Sequence, residues 1–368
     1  DVVIEADDLI LGGWSELFPE PSASLLSGRG DIDASFALSG QSLNNASVDV
    51  DLVDVSLSEG QVFDLEGRFE LDTSFDGWLV AAENFRIATN GREWPASSLR
   101  AEASTDDDGK VAVLNVRATY ANLSDSALLL PVLPEEQRTF LADLAPRGEV
   151  RGLEITLSEI GSDLPYFDVT AELQNVGFAA KDKRPGIQGL SGYVRGDRPG
   201  GRIEIRSTDM LVDLPRVMDG PVDIDILDGM IIWRSNDELT RFTSDSVHLA
   251  NAIIDSRGSG ELTFYAGRLA PEIDYNAAFS VSDVSAAYPY LPHKVMKPKL
   301  RDWFEGALVK GSIPRGTLEL DGPLNKEFFK GGGGRIFVEG TVRDMTMRFL
   351  PQWPVVEQGD LEVVLDHT

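Results

Sequence analysis

Apolar and polar residues alternate with a period of two over most of the chain, which is the pattern of β-strands with one face in water. In the longest clean stretch, every second residue from Ile273 to Val281 is apolar. At about 3.3 Å per residue, this stretch spans about 30 Å. We predict that the apolar residues of three such strands line a hydrophobic groove: Val48, Val50, Leu52, Phe167, Val169, Leu173, Tyr275, Ala277, Phe279 and Val281.

Clusters of turn-forming residues separate the strands, for example at 107–109, 197–201 and 331–334. The regular alternation of strands and helices that marks a parallel sheet is missing. We therefore predict a mainly β fold: an elongated, twisted antiparallel sheet curled into a hydrophobic groove, with a few short amphipathic helices. The alternative is a β-sandwich, in which the same apolar stripes are a closed core.

Two segments have the spacing of amphipathic helices, and we predict helices over 134–145 and 298–309. A third, shorter candidate carries Trp14, Leu17 and Phe18. The helix after Pro298 has an unusually wide apolar face, which we predict to be a lid over the groove rather than a helix packed outside it. The residues of this face are Leu300, Trp303, Phe304, Ala307 and Leu308.

Two short motifs recur along the chain and indicate internal repeats. A basic-glycine signature follows each predicted helix, with its arginine at Arg29, Arg147 and Arg315. A second motif begins at Asn84, Asn175 and Asp344 and leads to a proline. We predict three repeat units, 1–119, 120–283 and 284–368, that stack into one continuous β-groove. Because the third copy is short, we expect the natural chain to be longer.

The charge of the 368-residue chain is strongly negative, with 61 acidic and 33 basic side chains and a formal net charge of −28. Such a surface repels nucleic acid, which we exclude as a partner. The chain has no cysteine, so disulfides, thiolate metal sites and thiol nucleophiles are excluded. No run of about 18 apolar residues is present that could form a membrane-spanning helix.

Candidate chemical motifs fail on spacing. The acidic segment from Asp223 to Gly229 departs from the calcium-loop pattern, since the twelfth position is Arg234 rather than glutamate. His248, His293 and His367 have no second ligand one helical turn away, which favours ordinary surface or turn roles. No nucleophile elbow or phosphate loop occurs. We predict no catalytic residue, no metal and no cofactor.

Several segments, in order from about residue 120 to the end, resemble the YhdP family of AsmA-like proteins from Gram-negative bacteria. They are Pro185 to Gly192, Leu211 to Pro215, Leu227 to Trp233, Tyr290 to Pro292, Leu300 to Phe304, Gly311 to Gly316 and Trp353 to Leu361.

This family is similar to TamB and to the bridge-like lipid transfer proteins. The resemblance implies a periplasmic segment of a bridge protein that is anchored in the inner membrane. Its β-groove would conduct phospholipids between the inner and outer membranes. The alternatives are an assembly factor that guides outer-membrane proteins by β-strand pairing, and an enzyme acting on envelope glycolipid. Protein partners, lipid identity and transport direction stay open.

Overall fold

The computed structural model describes most of the chain. The described residues are 2–12, 27–39, 42–58, 61–73, 75–126, 135–160, 166–182, 184–268, 270–325, 328, 333–349 and 352–367. The helix predicted around Trp14, Leu17 and Phe18 lies outside them.

The chain divides into two compact units, Asp1–Val176 and Gly177–Thr368, and the boundary falls inside the tenth strand. The first unit contains β1 (Val2–Ile10), β2 (Ser27–Ser39), β3 (Ser42–Ser58), β4 (Gln61–Asp72), β5 (Gly77–Thr89), β6 (Arg92–Glu93), β7 (Ser97–Thr105), β8 (Val111–Asn122), β9 (Arg147–Ser158) and most of β10 (Tyr166–Phe178). The second contains β11 (Gly186–Asp197), β12 (Gly200–Asp213), β13 (Val222–Ser235), β14 (Leu239–Ala250), β15 (Ile254–Tyr265), β16 (Glu272–Val281), β17 (Leu308–Pro323), β18 (Arg335–Met347) and β19 (Val356–His367).

Within the described part of the chain, these nineteen strands belong to one antiparallel sheet. Each long strand pairs with the next long one along the chain, and β5 pairs with both the short β6 and β7. The same order holds in the second unit from β11 to β19. This arrangement confirms the predicted fold class, a mainly β antiparallel architecture with a few short helices. The division into three repeat units stays a prediction.

The two faces of the sheet differ in chemistry, as the period-two alternation requires. On β3, Val48 lies directly opposite Ala34 of β2 and Phe69 of β4. One residue further, Asp49 lies opposite Arg68, and the two side chains form an ion pair with a 2.6 Å N–O distance. One face is therefore apolar and the other carries the charges.

Aspartate or asparagine residues in a left-handed backbone conformation interrupt several strands. Asn84, Asn175 and Asp344, which begin the second repeated motif, have φ angles of 53°, 52° and 49°. Asp54 has φ of 55°, and the register shifts there between Leu52 and Val55. The side chains of Asp and Asn tolerate this conformation better than other residues.

The register shift keeps the apolar face continuous. Leu52 and Val55 are three positions apart, which in a regular strand would place them on opposite faces. They pair instead with Leu65 and Phe63, which are two positions apart on β4 and share a face. The bulge at Asp54 thus returns Val55 to the apolar side, where it is 3% exposed. Phe85 and Met345, which follow Asn84 and Asp344, are buried in the same way.

The helices are shorter than predicted. α1 comprises Glu135–Leu144, and Phe140 on its expected apolar face is 62% exposed. α2 comprises Pro298–Ala307, so the prediction that Leu308 belongs to this helix was wrong. Leu308 is the first residue of β17, where it packs against the buried cluster around Val281 and Val342. No helix in the described residues is long and apolar enough to cross a membrane.

Candidate functional site

Rows of apolar side chains cross the sheet at right angles to its strands. In the first unit, row A joins eight residues that lie directly opposite one another on successive long strands. They are Val2, Phe36, Ala46, Leu71, Val80, Ala101, Val116 and Ile155. Row B runs beside it and is also apolar throughout: Ile4, Ala34, Val48, Phe69, Ala82, Leu99, Ala118 and Leu153.

The second unit has an equivalent row. Row C joins Gly192, Ile205, Gly229, Val247, Gly258, Ala277, Leu318, Val338 and Leu365 on β11 to β19. It contains no polar side chain. At about 4.8 Å between strands, row A spans about 34 Å and row C about 38 Å.

Most residues of these rows are half-buried rather than buried. In row A only Ala46 is buried, Val2 is exposed, and the other six residues are intermediate. In a β-sandwich the inner face of each sheet is covered by the other sheet and its side chains are largely buried. The partial exposure of row A argues against the sandwich alternative for the first unit.

Aromatic side chains on the apolar face of the second unit cover glycines of neighbouring strands. The ring of Phe279 lies over Gly316, which is its direct partner on β17. Trp233 covers Gly201 and Gly196, and the hydroxyl of Tyr275 lies over Gly258. A Cβ atom at any of these glycines would collide with the ring or hydroxyl. The glycines therefore give the aromatic rings room to lie against the sheet.

The predicted lining residues fall into three separate groups. Val48, Val50 and Leu52 lie on the apolar face of β3, where Leu52 joins the buried cluster of Leu11, Val55 and Phe63. Tyr275, Ala277, Phe279 and Val281 alternate along β16, and Ala277 and Val281 are each 7% exposed. Phe167, Val169 and Leu173 are half-buried on β10, beside Ala171 at 2% exposure. Their role as lipid-lining residues stays a prediction.

The sequence prediction missed the residues that join these groups into rows. Leu99 and Ala118 lie on strands where charged neighbours obscure the apolar set, and Gly192, Gly229 and Gly258 have no side chain to mark the face. The left-handed Asp and Asn residues would have been a usable signal. They precede Val55, Phe85, Met210 and Met345, each of which is buried.

The predicted lid residues belong to an aromatic group at the end of the β16–β17 connection. Trp303 is 5.1 Å from Phe304 and 6.1 Å from Phe349, measured between ring centroids. Its indole Nε1 donates a 3.0 Å hydrogen bond to the carbonyl oxygen of Phe349. Leu300 at the start of α2 is 38% exposed. These contacts connect α2 to the β18–β19 connection, and a lid function stays a prediction.

His293 and His248 each lie beside a carboxylate. His293 is 7% exposed, its Nδ1 lies 3.3 Å from the carboxylate of Asp219, and its ring stacks on Tyr288 at 4.3 Å. His248 lies 3.2 Å from Asp255. Asp223 accepts a hydrogen bond from the hydroxyl of Tyr290. Among the side chains that the structure describes, no three His, Asp or Glu residues come together as a metal-ligand set.

The environment of Tyr275 is apolar enough to affect its ionisation. Burial raises the pKa of its hydroxyl, and a hydrogen bond with Ser256 opposes part of that shift. Because the pKa is raised in the folded chain, neutral Tyr275 contributes stability. This contribution is fully present below the pKa of an unfolded tyrosine, about 10, and is lost as pH rises through the pKa in the folded chain.

We expect the difference in phenolate absorbance between the wild-type chain and Tyr275→Phe to titrate above pH 10, at a higher pH than for a free tyrosine. The difference spectrum isolates this residue, since Tyr120, Tyr265, Tyr288 and Tyr290 also have raised pKa values. Titration at the ordinary value would place the Tyr275 ring in water and contradict an apolar site at β16.

The fold and its rows define a class: a many-stranded antiparallel sheet protein with rows of apolar side chains on one face and charged side chains on the other. The YhdP protein family matches residues 1–368, so the chain belongs to the YhdP family. It is 22% identical over 300 residues to the protein named intermembrane phospholipid transporter YhdP of Escherichia coli (strain K12). The match covers 78% of this chain and 23% of the E. coli protein, so the chain spans less than a quarter of that relative. No solved structure matches the chain.

Proposed function

We propose that the apolar face binds the acyl chains of phospholipids and forms part of a path that conducts them between two membranes. The observation that carries this proposal is the continuity of rows A, B and C. Each row crosses eight or nine strands and contains no polar side chain. The name of the E. coli relative, a phospholipid transporter between membranes, supports the same function.

The dimensions of the rows suit this cargo. The hydrocarbon core of a bilayer is about 30 Å thick, so one acyl chain occupies about 15 Å. Row A and row C, at about 34 and 38 Å, each accommodate an acyl chain with room for movement along the row. Each buried methylene contributes about 0.8 kcal/mol, so partial coverage of ten methylenes contributes on the order of 4 kcal/mol. Binding of this strength holds a lipid without trapping it.

Movement of a lipid along such a row requires no bond chemistry, so we propose a non-enzymatic role without metal or cofactor. The apolar face would hold the acyl chains while the headgroup stays in water. The charged face, with its net excess of carboxylates, would keep the sheet from adhering sideways to anionic membranes. The residues that line the path would each contribute a small amount, and no single one would be essential.

We place this path in the periplasm, with the protein anchored in the inner membrane by a segment outside the chain described and reaching the outer membrane at its far end. Phospholipids would be its ligands. The curling of the sheet into a groove, with α2 as a lid, belongs to the same proposal.

Native mass spectrometry of the detergent-free protein, purified from a Gram-negative host, tests the proposal. We expect bound masses that correspond to phospholipids and that extraction with organic solvent removes. A chain that carries no lipid, and that acquires none from vesicles, would contradict the proposal. Dependence on a partner polypeptide would favour the assembly-factor alternative, and turnover of an envelope glycolipid would favour an enzyme.

A further inference from the structure

A group of arginines occupies the charged face at one end of β11 to β14. Arg195 lies directly opposite Arg202 on the β11–β12 pair, and Arg234 lies directly opposite Arg241 on the β13–β14 pair. Arg202 is also opposite Ile232, two residues from Arg234. The four side chains therefore share one face on four consecutive strands. We call this group the arginine rim.

The arginine rim is poorly neutralised, although acidic residues outnumber basic ones by nearly two to one in the chain. Arg202 reaches Glu204 at 3.4 Å and Arg241 reaches Glu261 at 3.7 Å. In the part of the chain that the structure describes, Arg195 and Arg234 form no ion pair. Like charges directly opposite each other destabilise a strand pair. The fold alone gives no reason to place them there.

Nearby carboxylates have other partners. The Asp197 carboxylate accepts a 3.0 Å hydrogen bond from the Gly200 N–H within the β11–β12 turn. Asp237 pairs with Arg198 at 3.5 Å. The Nε of Arg241 is buried and has no hydrogen-bond partner. The rim therefore retains unused guanidinium donors.

An open cavity of about 540 Å3 lies at the same place. Arg195, Arg202 and Arg234 line it together with Asp197, Pro199, Ile232 and the three glycines next to the β11–β12 turn. Trp233, on the apolar face of the same strand end, also borders it. Cationic and apolar surfaces thus meet at the end of the strands. Guanidinium groups in this arrangement match the oxygen geometry of a phosphate.

We propose that the arginine rim binds the phosphate of a phospholipid headgroup at the end of β11 to β14, beside the apolar face at Trp233. This inference rests on the proposed function, because it gives the headgroup a place when the acyl chains lie on the apolar face. The charge supports it: four arginines against the carboxylates of Asp197, Glu204 and Glu261 leave a net positive charge for a phosphodiester. Met230 and Ile232, which are 46% and 38% exposed on the arginine face of β13, offer further apolar surface beside the phosphate.

The test compares two lipids that differ only in the phosphate-bearing headgroup. The wild-type chain is incubated with an equimolar mixture of phosphatidylglycerol and diacylglycerol with identical acyl chains, and the retained lipids are counted by native mass spectrometry. We expect the ratio of retained phosphatidylglycerol to retained diacylglycerol to be about tenfold lower for the Arg195→Gln/Arg234→Gln variant, because two charge-assisted contacts are removed. Retention of diacylglycerol should not change.

Arg206→Gln is the matched control. Arg206 lies on the same strand and face as Arg202, outside the cavity, and its nearest carboxylate, on Glu204, is 3.8 Å away. We expect this variant to keep the wild-type preference. An unchanged preference in the double variant, or an equal loss in Arg206→Gln, would overturn the proposal.

Phosphorus NMR with soluble anions separates the proposal from the function on which it rests. We expect the phosphorus resonance of glycerol 3-phosphate to broaden in the presence of the wild-type chain but not of the double variant. This result is expected even if neither lipid is retained and the proposed function fails. Inorganic phosphate binding as tightly as glycerol 3-phosphate, without any lipid preference, would show a free-phosphate site and overturn headgroup recognition. Absence of binding by either anion, together with no lipid preference, would overturn the site altogether.

Discussion

Replacing Ala277 with aspartate is expected to remove lipid retention and to lower the free energy of unfolding by roughly 3–5 kcal/mol, the usual cost of an uncompensated buried charge. Ala277 is 7% exposed in the middle of row C, directly opposite Gly258 and Leu318. Neither Gly258 nor Leu318 has a side-chain group that can pair with a carboxylate. Denaturant titration and native mass spectrometry of the same preparation measure the two effects.

Ala278→Asp is the matched control, because it adds the same carboxylate one residue away on the charged, exposed face, opposite Arg257 and Thr317. It should change stability by less than about 0.5 kcal/mol and leave lipid retention intact. Val338→Asp separates folding from binding, since Val338 is in row C but half-buried, so its carboxylate keeps part of its hydration. We expect it to fold and still to lose lipid. Wild-type retention in both Ala277→Asp and Val338→Asp would show that row C is not the binding surface.

Replacing Trp233 with alanine is expected to cost roughly 3–5 kcal/mol, the range for truncating a buried tryptophan. Trp233 is 7% exposed, its ring covers Gly196 and Gly201, and its Nε1 donates a 3.0 Å hydrogen bond to the carbonyl oxygen of Asp197. Glycines cannot fill the space that the ring leaves, so the β11–β12 turn loses most of its side-chain packing. The midpoint and slope of denaturant unfolding give the measurement.

Two further variants identify the source of this loss in the free energy of unfolding. Trp233→Phe keeps an aromatic ring but loses the N–H group and part of the ring volume, and should lose roughly 2 kcal/mol. Ile232→Ala removes an apolar side chain from the next residue, which is 38% exposed on the opposite face, and should lose less than about 1 kcal/mol. If Ile232→Ala costs as much as Trp233→Ala, packing on the apolar face does not govern the stability of this strand pair.

The strands and their faces were predictable where the alternation is clean. Residues 273–281 alternate without interruption, and β16 spans Glu272–Val281 with the apolar face where the pattern places it. Prediction failed where the period breaks. Leu52 and Val55 are three apart in sequence but on one face, because Asp54 forms a bulge that no count of apolar residues reveals. The predicted end of α2 was also wrong. Leu308 continues the helical spacing, yet it lies in β17, opposite Met347 of β18.

The candidate site could be predicted in its chemistry but not in its extent. Alternation identifies the apolar face of each strand separately. The residues that lie opposite it on the next strand depend on register, which sequence alone specifies weakly near glycines. Gly192, Gly229 and Gly258 therefore gave no sign of belonging to row C. The arginine rim was missed for a related reason: Arg195 and Arg241 are distant in sequence, and only the registers of three strand pairs bring their strands into one patch.

The pairing of neighbouring strands along the chain also determines the order in which the sheet can fold. β11 ends at Asp197 and β12 begins at Gly200, while β14 ends at Ala250 and β15 begins at Ile254. Closing such short connections costs little loop entropy, and the mean sequence separation of contacts stays low for a β protein of this length. Folding can therefore proceed hairpin by hairpin from the amino terminus. Each newly synthesised strand finds its template already in place and needs no residue that has yet to be made.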